Sequence, residues 1–271
     1  MVLKSRFKEV FKSLLKKKNS AMENTQSTGI INPRAKARKL ANYGLLAGLF
    51  AYPQNDSYKN SVTQTYEYLE NGFPEAAITL QPFVEFVSSA SIKDIQELYL
   101  RTFDVQSITT LDIGFVLFGE DYKRGKLLVH LNEEHKKAGN LCETELADHL
   151  PNLLRLLPKI QEDEIQTEIA ELLLLPAVEK MVSEFLPGKL EKKDSVYKKH
   201  QKVFLDYSQN YRTIFQYSLM ALFMVMQRDF DYNQQPAQPD TRDPGNPASG
   251  NHPTEVKDFS QNIETEMLTE K

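Results

Sequence analysis

The sequence is poor in cysteine, and this scarcity excludes two kinds of stabilising site. Cys142 is the one cysteine among 271 residues, so the chain cannot form an internal disulfide or a zinc or iron–sulfur site built from several of its own cysteines. A chain of this size without disulfides is typical of a reducing compartment. We therefore expect a cytoplasmic protein.

Long hydrophobic runs are also absent. The longest uncharged stretches, residues 41–55 and 213–227, are shorter than the roughly 20 apolar residues that a membrane span needs, and Pro53 interrupts the first. Lysines at positions 12 and 16–18 interrupt the basic N-terminus before the apolar core of an export signal can form. We expect neither a membrane anchor nor a secretory signal.

Charge is distributed unevenly along the chain. The formal net charge is -4, but residues 1–40 carry +9, residues 231–271 carry -5, and the part between them carries -8. An acidic body is a poor surface for nucleic acid and suits a basic peptide instead. We expect no nucleic-acid partner.

Apolar residues from position 35 onward recur at the three- and four-residue spacing of amphipathic helices. Alternation with a period of two is almost absent, and the one strand-like run, residues 113–118, has no partner strand nearby. The sequence predicts an all-α, compact multi-helix bundle with short connections. The clearest helical stripes are Ile92, Ile95, Tyr99; Leu150, Leu153, Leu154, Leu157; Val178, Met181, Val182, Phe185; and Phe204, Tyr207, Tyr211, Ile214, Phe215, Ser218, Leu222. Breaks are expected near Pro53, residues 71–74, Gly119, Gly139, Pro158, Pro176 and residues 187–188.

Three segments are expected from these patterns. Residues 1–33 combine a basic amphipathic stretch with a polar linker, residues 34–230 form the helical domain, and residues 231–271 form an acidic, Pro-rich tail that is expected to be disordered. The pattern of the first 18 residues is typical of a helix that binds an anionic membrane or a partner. It is equally typical of a helical extension whose lysines are solvated.

Two motifs resemble catalytic or metal sites but fail in their spacing. Between Gly119 and Gly125 there are five residues where a phosphate-binding loop has four, and Leu127 replaces the hydroxyl that binds magnesium. A turn that opens a helix explains this stretch better. His130 and His135 lie five residues apart, where a zinc helix needs four, so we interpret them as surface histidines.

Residues 145–151 combine two carboxylates, an imidazole and a proline inside a Leu-rich stretch. Pro151 disfavours helical geometry at the residue before it, so a kink or a new helix start is expected there. Asp148 is then placed to cap that helix, and His149 to bond a freed carbonyl or a carboxylate. On physical grounds alone, capping is favoured over a functional role.

Several stretches taken together resemble the NarJ-type chaperones, the nitrate reductase molybdenum cofactor assembly chaperones or delta subunits, within the wider group that includes the TorD and DmsD maturation proteins. The resemblance covers roughly residues 35–226 and is sharpest over residues 99–157. The stretches are residues 45–53, Tyr99-Leu-Arg-Thr-Phe103-Asp104, Thr109-Thr-Leu111, Phe118-Gly-Glu-Asp-Tyr-Lys-Arg124-Gly125-Lys-Leu-Leu128 and Glu145-Leu-Ala-Asp148-His149-Leu150-Pro151.

The resemblance implies an all-helical protein that is not an enzyme. We expect no catalytic residues, no metal and no cofactor of its own. Such a chaperone binds the N-terminal segment of a molybdoenzyme catalytic subunit and keeps it competent for cofactor insertion. Carried over to this sequence, the motif residues that would bind the client are Tyr99, Phe103 and Asp104 on one wall of a groove, Glu145, Asp148 and His149 on the other, and the adjoining Arg124 and Pro151.

Two other functions remain open from the sequence. One is a helical interaction module that residues 1–18 recruit to a membrane surface. The other is a nucleotide-dependent enzyme, which the failed phosphate-loop pattern disfavours.

Overall fold

The described part of the chain is a helical bundle. The structure is a computed structural model, and it describes residues 40–201 and 211–232. Its helices are α1 (Tyr43–Gly48), α2 (Ser57–Gly72), α3 (Pro74–Ser89), α4 (Ile92–Phe103), α5 (Ile113–Phe118), α6 (Tyr122–Lys137), α7 (Leu150–Leu156), α8 (Asp163–Ile169), α9 (Leu175–Ser183), α10 (Pro187–Gln201) and α11 (Phe215–Phe230). A short 3-10 turn, Leu157–Lys159, follows α7, and a π-helical turn, Ala170–Leu174, joins α8 to α9.

The predicted all-α class is confirmed for these residues. They contain no strand, and the single β-bridge pairs Asp112 with His149. The strand-like run at 113–118 forms helix α5. Its buried residues are Ile113, Gly114 and Val116. Helical periodicity therefore predicted the fold class correctly, and the one run that looked like a strand is also helical.

Local sequence signals explain where several helices begin. At α4, the Ser91 hydroxyl accepts from the backbone N–H of Asp94, while the Asp94 carboxylate accepts from the backbone N–H of Ser91. At α6, the Asp121 side chain accepts from the Lys123 backbone N–H. The turn between Gly119 and Asp121 is therefore a helix start, as the sequence predicts.

The core is centred on the pairing of α3 with α11, which also packs against α9. Phe215 at the start of α11 is fully buried, and its ring lies 5.0 Å from Phe83, 5.1 Å from Phe103 and 5.9 Å from Tyr99. These tilted and edge-on arrangements are the favourable ones for aromatic pairs. Helices α3, α4 and α11 are thus held together by a cluster of rings.

The Leu-rich stretch packs α7 against α1. Its leucines are fully buried: Leu150, Leu153, Leu154, Leu156 and Leu157. Pro151 occupies the first turn of α7, where its missing N–H costs nothing, so the predicted helix start at this proline is confirmed. This packing fixes the end of the loop that precedes α7.

The last predicted stripe needs one correction. Residues 211–214 form turns, and α11 begins only at Phe215. Tyr211 belonged to the predicted buried stripe but is 49% exposed, although its ring lies 4.7 Å from Phe86. Residues 204 and 207 of that stripe lie outside the described residues.

The predicted terminal segments lie almost wholly outside the described residues, which end at Tyr232 and begin at Leu40. Tyr232, assigned to the tail, packs its ring edge-on against Phe223, with 6.3 Å between the ring centres. Within residues 40–201 and 211–232, no helix combines the length and apolar character required to cross a bilayer.

Candidate functional site

A cleft of about 640 Å³ opens between the segment that follows α1 and the loop that precedes α7. Gly48, Phe50 and Tyr52 lie on its first side, and Leu141 and Glu143 on its second. The rest of the lining comes from the start of α2, from α4, from the end of the loop before α7 and from α7 itself. These residues include Tyr58, Ser61, Tyr99, Glu145, His149, Pro151, Asn152 and Arg155. The cleft is therefore built from segments distant in sequence.

Tyrosines form the apolar floor of the cleft. The Tyr99 hydroxyl donates to the Phe50 carbonyl at 3.1 Å, and the Tyr58 hydroxyl donates to the Leu49 carbonyl at 2.8 Å. Burial raises the pKa of Tyr99, with a further contribution from the Glu145 carboxylate. The ring of Tyr52 meets Tyr99 edge-on at 5.4 Å while remaining 43% exposed. The exposed ring of Tyr52 therefore rests on Tyr99, whose hydroxyl is held by a hydrogen bond.

The rim of the cleft combines acidic and apolar side chains. Glu143 and Glu145 are exposed on the loop before α7, and Leu141 is 86% exposed beside them. Arg155 is the positively charged lining residue. The rim of the cleft therefore places an exposed apolar side chain beside two exposed carboxylates.

His149 connects the cleft to an ionic network that is partly buried. Its Nδ1 lies 3.1 Å from Asp112 Oδ1, and the other oxygen of Asp112 accepts from Arg124 Nη2 at 2.7 Å. Arg124 Nε then donates to Asp148 Oδ2 at 3.0 Å. The hydrogen bond from His149, together with the charge of Arg124, lowers the pKa of Asp112. His149 therefore reaches the cleft from a fixed position.

Asp148 requires a correction, because it is neither a groove wall nor the cap of its own helix. It is fully buried, and no side-chain cap bond is present at the start of α7, whose N-cap is His149. Its carboxylate instead accepts from the Gly114 backbone N–H of α5 at 3.1 Å and binds Arg124. Asp148 thus caps a helix 34 residues earlier and is not available to a client lysine.

The start of α5 has no room for a side chain at Gly114. A Cβ there would lie 2.7 Å from Asp148 Oδ2 and 3.0 Å from Arg124 Cγ. Gly125, on α6, has nothing within 4 Å of the same position. A Gly125→Ala variant can therefore serve as a control for Gly114→Ala, because a Cβ at Gly125 meets no neighbouring atom.

We expect Gly114→Ala to lower the free energy of unfolding by about 1–3 kcal/mol, because the added methyl group displaces the buried carboxylate. Gly125→Ala should raise it by about 0.5–1 kcal/mol, since alanine favours the helix and meets no neighbour. Urea unfolding followed by far-UV circular dichroism measures both values. A stability gain for both variants would contradict the close approach of Asp148 to Gly114.

A second buried network holds the loop before α7, and it corrects the interpretation of His135 as a surface residue. His135 is 3% exposed, and its Nε2 lies 3.0 Å from the Ala147 carbonyl, so Nε2 carries the proton. Its Nδ1 accepts from Asn140 Nδ2 at 2.9 Å. Asn140 also donates to the Asn152 carbonyl and accepts from Lys159. His130 is half-buried.

Burial lowers the pKa of His135 from its usual 6.5, and the positive charge of Lys159 acts in the same direction. Above about pH 6.5 both folded and unfolded chains hold this ring neutral. Below that pH the unfolded chain gains a proton that the folded chain accepts only at lower pH, so stability falls as the pH falls.

We therefore expect the free energy of unfolding of the wild type to decrease from pH 7.5 to pH 5.5 by more than that of His135→Gln. Urea unfolding at both pH values measures the two differences. The variant starts from a lower stability, so only its pH dependence is compared. Equal pH dependence in the two proteins would show that His135 is not held neutral.

The structure brings together half of the site residues predicted from the sequence. Those that line the cleft are Tyr99, Glu145, His149 and Pro151. Phe103 is buried in the ring cluster, and Asp104 is exposed at the end of α4 without lining the cleft. Arg124 and Asp148 lie behind His149 in the ionic network.

Several lining residues were not predicted. Tyr52, Leu141 and Glu143 contribute the exposed surface of the cleft, and Asp112 connects His149 to Arg124. Leu141 and Glu143 flank Cys142 in a polar stretch that gave no periodic signal. Proximity to residues 145–151 was the one feature that pointed to them.

Other chemistry is limited in the described residues. They contain no group of three or more His, Cys, Asp or Glu side chains placed to hold a metal ion. Cys142 is half-buried, and burial raises the pKa of its thiol, so the thiolate forms less readily than that of a fully exposed cysteine.

Fold and cleft together define a helical protein with an open cleft lined by aromatic and acidic side chains. No family model matches the chain. The chain is 29% identical over 156 residues to the "Probable nitrate reductase molybdenum cofactor assembly chaperone NarJ" of Bacillus subtilis (strain 168). The matched region covers 57% of this chain and 81% of that relative.

Proposed function

We propose that this protein is a cytoplasmic molybdenum cofactor assembly chaperone of the NarJ type, belonging to the wider TorD and DmsD group. The observation that carries the proposal is the similarity to the Bacillus subtilis chaperone over 81% of that relative's length. The motif stretches within residues 99–157 resemble the same family. In this role the protein binds a client and catalyses no reaction.

The proposed client is the catalytic subunit of a molybdoenzyme, nitrate reductase or a related enzyme, bound through its N-terminal segment. The chaperone keeps this subunit competent for cofactor insertion and for assembly into its membrane complex. The cleft supports this assignment through the exposed ring of Tyr52, the exposed side chain of Leu141 and two carboxylates, Glu143 and Glu145. Apolar anchors would enter among the tyrosines, and Lys or Arg of the client would pair with the carboxylates.

Affinity capture of the intact chain from cells that make their own molybdoenzymes tests the proposal. We expect the soluble fraction to yield the large catalytic subunit of a molybdoenzyme without its cofactor. Mass spectrometry identifies the subunit, and molybdenum analysis measures its cofactor content. Capture of fully loaded enzyme in equal measure, or of no molybdoenzyme, would contradict the chaperone role.

The membrane-surface alternative rests on residues 1–18, which lie outside the described residues. It predicts that the intact chain floats with vesicles containing anionic lipid and not with neutral vesicles. Flotation without capture of a molybdoenzyme would favour this alternative.

A further inference from the structure

The N-terminal residues of this chain have the chemistry that the cleft is proposed to recognise in its client. Residues 1–18 contain seven Lys or Arg and one Glu, and the spacing of Leu3, Phe7 and Leu14 in the sequence is that of one face of an amphipathic helix. The cleft offers exposed apolar surface and two carboxylates on a body of net charge -8. Charge and apolar character therefore match within a single chain.

The described chain begins close to the cleft. The Ala41 backbone N–H donates to Asp229, and the Asn42 backbone N–H donates to the Tyr68 hydroxyl, so this entry point is fixed. Helix α1 is only about 9 Å long, and its last residue, Gly48, already lines the cleft. The 21 residues at positions 19–39 can span up to roughly 70 Å. Residues 1–18 therefore have ample chain to reach the cleft.

We propose that residues 1–18 occupy the cleft of their own chain when no client is bound. The tether gives the segment an effective concentration of about 1 mM. Even an intrinsic dissociation constant of about 0.1 mM would then fill the cleft about nine-tenths of the time and weaken client binding roughly tenfold. Competition with a client rests on the proposed function. The contact between residues 1–18 and the cleft can be tested without a client.

Cys142 is a suitable reporter of this contact, since it is the chain's one cysteine and lies between the cleft residues Leu141 and Glu143. Benzophenone maleimide is attached to Cys142 in the full chain without client, the sample is illuminated, and crosslinked peptides are identified by proteolysis and mass spectrometry. Mixing labelled and unlabelled chains, one enriched in ¹⁵N, distinguishes crosslinks within a chain from those between chains. We expect crosslinks to residues 1–18 within one chain.

A matched reporter moves the label away from the cleft. Cys142→Ser combined with Glu133→Cys places it on exposed α6 surface that does not line the cleft, and we expect at least fivefold fewer crosslinks to residues 1–18. Glu143→Lys with Glu145→Lys should also reduce the Cys142 crosslinks at least fivefold. Glu133→Lys with Glu191→Lys, equal in charge change but outside the cleft, should leave them unchanged.

Three results would overturn the inference: no crosslinks to residues 1–18 from Cys142, equal yields from the two label positions, or crosslinks only between chains, which would make a second copy the occupant. If client capture succeeds while the crosslink is absent, this inference fails and the proposed function stands. If the crosslink forms and no molybdoenzyme is captured, the contact stands and the proposed function fails.

Discussion

Arg124→Ala should lower the free energy of unfolding by about 3–5 kcal/mol, because it leaves a buried carboxylate without its counter-charge. Asp148 is fully buried and loses the guanidinium that donates at 3.0 Å. Asp112 loses the same partner at 2.7 Å, so the support of His149 at the cleft weakens as well. Urea unfolding of the wild type and the variant measures the loss.

Arg101→Ala is the matched control, since it removes the same side chain from an exposed ion pair. Arg101 Nη2 lies 2.6 Å from Glu97 Oε1 on α4, and both side chains are 47% exposed. The expected loss in the free energy of unfolding is therefore below about 0.5 kcal/mol. Arg124→Lys keeps the positive charge but lacks the planar guanidinium group that binds two carboxylates at once. We expect it to lower the free energy of unfolding by an intermediate amount. Similar losses for Arg124→Ala and Arg101→Ala would contradict the buried network.

The helical fold was predictable because its signals are local. Apolar spacing placed the buried faces of α4, α7 and α9, and proline and glycine marked most of the boundaries. Even the ambiguous run at 113–118 could be assigned, because no second strand was near enough in sequence to pair with it. Periodicity failed at the start of α11, where Tyr211 lies in a turn and is half exposed.

The site was harder to predict because long-range contacts determine it. The sequence predicted that Asp148 caps the helix beginning near Pro151, which is wrong, because its carboxylate instead accepts from the Gly114 N–H, 34 residues earlier. The spacing of His130 and His135 excluded a metal pair, yet the burial of His135 depends on a loop that folds back through Asn140. Such contacts leave no periodic trace in a single sequence.

The cleft itself illustrates the same limit. Tyr99 was singled out by its motif, but the Phe50 carbonyl that fixes its hydroxyl lies 49 residues away. Tyr52 and Leu141, the most accessible apolar contacts of the cleft, belong to segments without a helical pattern. Residues 145–151 therefore indicated where the cleft lies, and tertiary packing decided which side chains line it.

Charge reversal at the cleft rim should weaken client binding at least tenfold if the proposed function holds. Glu143→Lys with Glu145→Lys replaces two attractive contacts by repulsive ones, and a change of about 1.4 kcal/mol is sufficient for a factor of ten. The probe is a synthetic peptide with the N-terminal sequence of the captured catalytic subunit. Its affinity for the wild type and for the variant is measured by fluorescence anisotropy.

Glu133→Lys with Glu191→Lys separates a local effect from the influence of net charge. Both residues are exposed and lie outside the cleft lining, and the double variant changes the charge by the same amount. We expect it to retain client affinity within a factor of about two, because salt weakens the interaction of exposed charges that do not line the cleft with a bound peptide. An equal loss in both double variants would assign the binding to the overall acidity of the body, and the cleft would then have no special role.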